Sequence, residues 1–273
     1  MKPKIFFTKL VGTGNDFILI DNRQKRIRSH KVVAQRLTHR QNGIGADGVL
    51  FLERARSRKA NLRMRIFNPD GSEAEMCGNG IRCLVYYAYH HGLVPKRMQI
   101  ETIAGVLAAE ITEKGQIRVQ LSSPKDWKLD LSFQRDGVML QGGFVNTGVP
   151  HAVFLVDDLE KVDVGELGRW IRYHSAFAPR GTNVNFVQCK GTHQIAVRTY
   201  ERGVEAETLA CGTGVTASAL IAAQRKKISP PVQVLTKGGE TLTVDFKQES
   251  DTTQQVWLEG SVRMIFKGEI FHV

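Results

Sequence analysis

Two segments of the chain repeat one pattern, and this internal repeat constrains the fold more than any other feature of the sequence. Residues 63–80 read RMRIFNPDGSEAEMCGNG, and residues 196–214 read AVRTYERGVEAETLACGTG. When the segments are aligned on Cys77 and Cys211, Glu73 coincides with Glu207 and both glycines of each C-G-x-G motif coincide. A long pattern that recurs within one chain indicates duplicated structural units. The sequence therefore predicts two similar domains.

The length and composition are compatible with such a duplication. The chain has 273 residues, of which 42% are hydrophobic and 24% charged, enough for two compact domains and too apolar for a disordered chain. We predict an N-terminal domain over residues 1–128 that carries Cys77 and a C-terminal domain over residues 129–273 that carries Cys211. The last strand is free to cross over to the first domain, and we expect the active site in the cleft between the two.

Short segments of alternating polarity dominate the chain and predict a β-rich fold. The predicted strands are residues 4–11, 16–21, 49–53, 62–68, 98–111, 117–121, 144–157, 183–188, 195–201, 232–236, 242–246 and 256–270. Four helices are predicted, over residues 30–40 with Ser29 as N-cap, 165–172, 80–91 and 214–227. The last two are apolar on nearly every face, which is typical of buried helices. The predicted fold class is α+β: two pseudo-symmetric domains, each a barrel-like, mostly antiparallel or mixed β-sheet wrapped around a central α-helix.

The positive charge is concentrated in one half of the sequence. The chain carries a formal +11, and residues 1–125 hold 22 basic and 10 acidic residues against 16 and 17 in the remainder. Such asymmetry is typical of proteins that bind nucleic acids or anionic surfaces. The basic runs at residues 23–28 and 54–59, however, lack interleaved aromatic residues and a recognised binding motif. We interpret them as solvated loops and expect no nucleic-acid partner, with a basic nucleic-acid-binding protein as the alternative.

The cysteines and the apolar runs exclude several other classes. Cys77, Cys83, Cys189 and Cys211 contain no C-x-x-C pair, so no structural zinc site is expected. We expect Cys83 and Cys189 to be small buried hydrophobic residues. No run approaches the roughly 20 apolar residues of a membrane span. We therefore predict a cytoplasmic protein with no metal and no membrane association.

Cys77 and Cys211 each stand at the start of a predicted buried helix, where unpaired backbone N–H groups favour negative charge. This position favours the thiolate, and the following glycines let a substrate carboxylate approach the same N–H groups. Two such sites in similar halves suggest a pair of thiols on opposite faces of an amino-acid α-carbon. One thiolate would remove the α-proton and the other thiol would return a proton, with inversion of configuration. Neither a phosphate-binding loop nor a lysine in a pyridoxal-type context is evident, so we expect no cofactor.

Seven segments follow one another along the chain: KLVGTGNDF (9–17), NGIGADG (42–48), FNPDGSE (67–73), MCGNGIR (76–82), GTNV (181–184), YERG (200–203) and ACGTG (210–214). In this order they resemble the diaminopimelate epimerase family. The resemblance implies cofactor-independent epimerisation of LL-diaminopimelate to meso-diaminopimelate, in lysine and peptidoglycan precursor synthesis. It further implies a homodimer whose two similar domains flank the active site.

The resemblance also assigns roles to individual residues. Cys77 and Cys211 match the acid/base pair. Residues that match the substrate-binding set are Gly78, Asn79, Gly212 and Thr213 at the reacting carboxylate, Asn15, Asn68, Asn183, Glu201 and Arg202 mainly at the distal end, and His151 beside Glu201 at the reacting amino group.

Two positions depart from the family pattern. Val149 replaces an asparagine found in many members, and Gly48 stands where some members have glutamine. A lost amide donor would weaken discrimination among substrates, so relaxed specificity that extends to glutamate is one alternative. A related two-cysteine racemase of glutamate, histidine or proline is another.

Overall fold

The computed structural model of the protein describes residues 4–135, 137–225, 227–249 and 252–271. The chain forms two compact units, one of Met1–Gln120 with Gly260–Val273 and the other of Leu121–Glu259. The strands and helix of the first unit are β1 (Ile5–Gly12), β2 (Asn15–Asp21), α1 (His30–Thr38), β3 (Gly48–Arg54), β4 (Leu62–Phe67), β5 (Glu73–Ala74), α2 (Gly78–His90), β6 (Arg97–Thr102), β7 (Gly105–Ile111) and β8 (Ile117–Gln120). The chain continues with β9 (Lys125–Arg135), β10 (Val138–Asn146), β11 (Pro150–Leu155), α3 (Val164–Arg172), β12 (Asn183–Gly191), β13 (Gln194–Glu201), β14 (Ala206–Thr208), α4 (Gly212–Gln224), β15 (Val232–Thr236), β16 (Thr241–Glu249), β17 (Thr252–Gly260) and β18 (Arg263–Ile270).

The two units share one order of strand pairing. In the first unit β1 and β2 form an antiparallel hairpin, β2 runs parallel to β3 across α1, and β4 runs parallel to β6 across α2. In the second unit β10 and β11 form the hairpin, β11 runs parallel to β12 across α3, and β13 runs parallel to β15 across α4. Between these pairs, β3 runs antiparallel to β4 in the first unit, and β12 runs antiparallel to β13 in the second. The predicted internal duplication is confirmed, as is the α+β class with mixed sheets.

The division of the chain differs from the predicted ranges of 1–128 and 129–273. Residues 121–128 belong to the second unit because β9 pairs along β10, from Val138 opposite Arg135 to Asn146 opposite Lys125. The last strand crosses over to the first unit because β18 pairs antiparallel with β1.

Helices α2 and α4 are buried, as their composition predicts. Every residue of α4 from Gly214 to Ala223 is buried, and the middle of α2 packs into a core built from β1 to β4 and β6 to β8. Both helices begin two residues before the predicted starts, so that Cys77 and Cys211 become their N-caps. They end at His90 and Gln224, and residue 226 of the predicted helix lies outside the described residues. Helices α1 and α3 match the other two predictions to within two residues.

Several strand predictions are corrected by chain reversals. Residues 98–111 and 144–157 each fold into two antiparallel strands, because the chain turns at Gly105 and Gly148, which have φ of 124° and 110°. Residues 256–270 divide between β17, which pairs with β16, and β18, which pairs with β1. Strands β5, β9 and β14 were not predicted. Two of them are very short: β5 has two residues and β14 has three. Among the described residues, no helix is both long and apolar enough to span a membrane.

Candidate active site

The start of α2 places Cys77 beside backbone donors. Cys77 is the extended N-cap of the helix, with φ of −146°, and its Sγ accepts a hydrogen bond from the Gly80 N–H at 3.5 Å. A side-chain acceptor at this position satisfies one of the N–H groups that a helix start leaves unpaired. Gly78 and Asn79 are the first two helical residues, so the position predicted for them as backbone donors is consistent with the fold.

Asn79 is held by neighbours on both sides of its amide. Its Nδ2 donates to Asn15 Oδ1 at 2.7 Å, and its Oδ1 accepts from the Arg82 guanidinium at 2.6 Å. The fully buried Arg82 also donates to Thr13 Oγ1, and Asn15 donates to Asp47. The structure thus joins the predicted residues Asn15 and Asn79 directly, within one buried network at the helix start.

The start of α4 repeats this placement for Cys211. Cys211 is again an extended N-cap, with φ of −127°, and it is buried. Its Sγ lies 3.4 Å from Thr213 Oγ1, and the Thr213 carbonyl accepts a hydrogen bond from Thr147 Oγ1. Gly212 and Thr213 therefore occupy the helix positions equivalent to those of Gly78 and Asn79.

His151 is fully buried on β11 and has a partner at each ring nitrogen. Its Nε2 lies 2.9 Å from Thr213 Oγ1, and its Nδ1 lies 3.1 Å from Asn185 Nδ2. Burial, reinforced by the positive charge of Arg202, lowers the pKa of His151 to about 3. The lowered pKa favours a neutral imidazole at this position.

Asn183, Glu201 and Arg202 lie together at the ends of neighbouring strands. The Asn183 amide donates to the Pro150 carbonyl at 2.9 Å and accepts from the Arg202 backbone N–H at 2.9 Å. Glu201 accepts from Thr208 Oγ1 at 2.9 Å, and burial raises the pKa of its carboxyl group. Burial and two neighbouring arginines lower the pKa of Arg202. Charged groups with altered pKa values near a reactive side chain are typical of functional sites.

Asn68 lies in the turn that connects β4 to β5. Its side-chain Nδ2 donates to Ser72 Oγ at 3.0 Å, and its backbone carbonyl accepts from the Gly71 N–H. No described hydrogen bond joins Asn68 to Cys77 or Asn79. Its predicted contact with substrate therefore stays a prediction.

The matched glutamates of the internal repeat form matched ion pairs. Arg65 binds Glu73 through two hydrogen bonds of 2.7 Å, and Arg198 binds Glu207 through two of 2.6 and 2.9 Å. Each pair fixes the strand that leads into its cysteine. The coincidence of Glu73 with Glu207 in the repeat therefore reflects an arginine partner on the adjacent strand in each unit.

The other two cysteines behave differently from each other. Cys83 is fully buried in the first unit, and burial raises the pKa of its thiol. Cys189 is exposed on β12, so the prediction that it is buried was wrong. The buried part of β12 ends at Val187, and Cys189 belongs to the exposed end of the strand.

Sequence reasoning missed four residues that hold the helix starts in place, namely Thr13, Arg82, Thr147 and Asn185. Asn185 carried a detectable signal: it stands two residues after Asn183 and between the apolar residues Val184 and Phe186, so both asparagine side chains point to one face. Arg82 carried a similar signal as a cation in an apolar helix.

Comparison with known proteins places these features in a family. The family model described as diaminopimelate epimerase matches residues 7–127 and 143–265, one range in each half of the chain. The chain belongs to the diaminopimelate epimerase family. Relatives named diaminopimelate epimerase include one from Aquifex aeolicus (strain VF5), 44% identical over 97% of both chains. Another, from Methanocella arvoryzae, is 45% identical over 98% of this chain and 97% of its own.

A solved structure supports the fold independently of close sequence similarity. A phenazine biosynthesis protein of the PhzF family from Bacillus anthracis superposes with a TM-score of 0.73 at 18% identity, over 99% of this chain and 100% of its own. At this identity the likeness concerns the fold alone. The epimerase family therefore shares its two-unit architecture with proteins of distant sequence.

Proposed function

We propose that this protein is a cofactor-independent diaminopimelate epimerase, an isomerase that converts LL-diaminopimelate to meso-diaminopimelate in lysine and peptidoglycan precursor synthesis. Family membership supports the substrate. One observation carries the mechanism: Cys77 and Cys211 are N-caps of the equivalent buried helices of two duplicated units. A helix N-terminus favours both a thiolate and a bound carboxylate.

The proposed reaction uses the two cysteines as an acid/base pair. The thiolate of one cysteine removes the α-proton of the substrate and becomes a thiol. The thiol of the other delivers its proton to the opposite face of the planar carbanion and becomes a thiolate, so that protons balance and the configuration inverts. Negative charge grows on the substrate carboxylate as the proton leaves, and N–H groups at Gly78, Asn79, Gly212 and Thr213 would stabilise it.

The remaining predicted residues would bind the rest of the substrate. Asn15, Asn68, Asn183 and Arg202 supply amide and guanidinium groups for the distal amino-acid end. The half-buried Glu201 supplies a carboxylate for an ammonium group. Discrimination for a second amino-acid end requires buried polar groups of this kind, because an unpaired polar group costs binding energy.

Hydrogen exchange at the α-carbon tests the mechanism directly. The reduced enzyme is incubated with each stereoisomer of diaminopimelate in heavy water without pyridoxal phosphate, and α-deuterium incorporation is followed by NMR. We expect epimerisation with incorporation for the wild type and a loss of at least about a hundredfold for Cys77→Ala and Cys211→Ala. The exposed Cys189→Ala variant serves as control. Full turnover in either single variant would refute the two-thiol mechanism.

Substrate range distinguishes this enzyme from other two-cysteine racemases. Val149 lies in the β10–β11 turn, and a Cβ added at Gly48 would lie 3.0 Å from the Phe67 carbonyl oxygen. A side chain at residue 48 would therefore push against the backbone of β4. Close packing between β3 and β4 explains why glycine occupies this position. Exchange of the glutamate α-proton, measured beside diaminopimelate, tests relaxed specificity. Turnover of glutamate, histidine or proline without turnover of diaminopimelate would favour a racemase instead.

We also propose a cytoplasmic homodimer that has no nucleic-acid partner. The basic run at 23–28 includes Arg23, which forms an ion pair with Asp21, and exposed residues of the loop between β2 and α1. Solvated loops of this kind produce only weak, salt-sensitive binding. A mobility shift of unrelated RNA or DNA that persists at about 150 mM salt would contradict this expectation.

A further inference from the structure

A continuous series of hydrogen bonds leads from the interior of the second unit to the sulfur of Cys211. Asn185 Nδ2 lies 3.0 Å from the Ala152 carbonyl oxygen and 3.1 Å from His151 Nδ1. His151 Nε2 lies 2.9 Å from Thr213 Oγ1, which lies 3.4 Å from Cys211 Sγ. None of the predicted roles includes Asn185 or the hydroxyl group of Thr213.

The first member of the series sets the direction of the bonds as far as the Thr213 hydroxyl. The Ala152 carbonyl can only accept, so the NH₂ group of Asn185 must face it, and Thr199 Oγ1 donates to Asn185 Oδ1 at 2.9 Å. The same NH₂ group donates to His151 Nδ1, which must then be unprotonated. A neutral imidazole with a bare Nδ1 carries its proton on Nε2 and donates it to Thr213 Oγ1. A Cys211 thiolate can only accept, so the Thr213 hydroxyl, whose oxygen already accepts from His151, donates its own proton to Cys211 Sγ in that state.

We propose that Asn185 and His151 are positioning residues that keep the Thr213 hydroxyl directed at Cys211 Sγ, so that it stabilises the Cys211 thiolate. The inference rests on the proposed function, in which Cys211 alternates between thiolate and thiol. A hydrogen bond to a charged acceptor is stronger than one to a neutral acceptor. The hydroxyl therefore favours the thiolate over the thiol and eases deprotonation of Cys211.

The equivalent positions of the first unit hold apolar residues, as the duplicated register shows. Phe17 pairs with Gly48 where His151 pairs with Asn183, so Phe17 occupies the position of His151 and Leu50 that of Asn185. Both first-unit residues are buried and apolar. At these two positions the second unit therefore has polar residues and the first unit apolar ones, so the surroundings of the two helix starts differ although the helices are equivalent.

The strands that pack against α4 carry the exposed Lys190 on β12, Arg198 and Glu201 on β13, and Asp245 and Lys247 on β16. Arg198 and Tyr200 of β13 are engaged on the face towards α3, with Glu207 and the Glu205 carbonyl. Arg202 and Glu201 stand at the end of β13, and Arg202 is the charge that acts on His151. These groups are untouched by substitutions at Asn185 or Thr213.

Alkylation rates of Cys211 as a function of pH test the proposal without using catalysis. Iodoacetamide labelling of the reduced protein is resolved by mass spectrometry of the Cys211 peptide, with the Cys189 peptide as internal reference. We expect Thr213→Val to raise the apparent pKa of Cys211 by about one unit and Thr213→Ser to restore the wild-type value. His151→Phe with Asn185→Leu, which reproduces the first-unit residues, should shift it in the same direction.

Thr216→Val is the matched control. Thr216 lies in the same buried helix, and its hydroxyl donates to the Gly212 carbonyl at 2.9 Å rather than to sulfur. We expect no shift in the Cys211 pKa for this variant. An unchanged pKa in Thr213→Val, or an equal shift in Thr216→Val, would overturn the proposal. Neither result would contradict the proposed epimerase activity, because the heavy-water exchange assay tests that activity separately.

The tautomer of His151 provides a second test that needs no variant. NMR of protein labelled with ¹⁵N-histidine should give His151 signals of a neutral ring protonated at Nε2, with no titration between pH 5 and 8. A ring protonated at Nδ1, or an imidazolium that titrates in this range, would overturn the proposed direction of the bonds.

Discussion

Gly214, the third residue of α4, lies against the amide of Asn185. A Cβ added there would lie 2.4 Å from Asn185 Oδ1 and 3.4 Å from His151 Cε1. Because the amide is held by three hydrogen bonds, it cannot move without breaking them. We predict that Gly214→Ala lowers the free energy of unfolding by about 1–3 kcal/mol, measured by urea denaturation. Gly191→Ala, where a Cβ meets nothing within 4 Å, should change it by less than about 0.5 kcal/mol; equal losses would contradict this account.

The low pKa of His151 also predicts a dependence of stability on pH. The imidazole has a pKa of about 3 in the folded protein and an ordinary value of 6.5. The unfolded chain therefore binds more protons between these values, and stability is lost as the pH falls below about 6.5. From pH 7 to 5.5, we expect the wild type to lose about 1 kcal/mol more than His151→Gln in urea denaturation. The exposed His193→Gln variant should lose as much as the wild type.

At the scale of elements, the matched ion pairs join the strands that precede the starts of α2 and α4. Arg198 and Glu207 are 13% and 23% exposed, and Arg198 also donates to the Leu159 and Val162 carbonyls. Glu207→Gln leaves a largely buried guanidinium without its carboxylate, and we predict a loss of about 2 kcal/mol in unfolding free energy. Glu166→Gln breaks a pair whose acid is 60% exposed and should cost less than about 1 kcal/mol. A smaller loss for Glu207→Gln than for Glu166→Gln would contradict the structural role.

At the scale of the whole molecule, exposed apolar residues on two paired strands support the proposed homodimer. Strands β1 and β18 and the residue that follows β18 expose Phe6, Met264, Ile265, Phe266 and Phe271. Exposed apolar residues that cluster on neighbouring strands are typical of protein interfaces. We predict a dimer of 30.5 kDa chains in sedimentation velocity, and a shift towards monomer for Phe6→Ser and Ile265→Ser. Met139→Ser, an exposed apolar position in the second unit, is the control; a monomeric wild type would contradict the assignment.

The fold could be predicted from the sequence to a large extent because its main features are local. Apolar helices had to be buried, and the repeat around Cys77 and Cys211 implied two similar units. Chain reversals at Gly105 and Gly148 were less visible, since a glycine between two apolar runs is compatible with either one bent strand or two. The crossing of β18 to the first unit depends on pairing between residues more than 250 positions apart, which no local pattern reports.

The sequence by itself determined the two cysteines at duplicated helix starts and, through seven segments, the family. Tertiary structure alone decided the surroundings of Cys211, since its partner Thr213 in the first turn of α4 is bonded in turn to residues of β11 and β12. In the sequence His151, Asn185 and Thr213 are polar residues dozens of positions apart. Parallel pairing of β11 with β12, and the packing of α4 against both, brings them into hydrogen-bonding distance. The direction of those bonds follows from the Ala152 carbonyl, a backbone atom that no side-chain pattern can reveal.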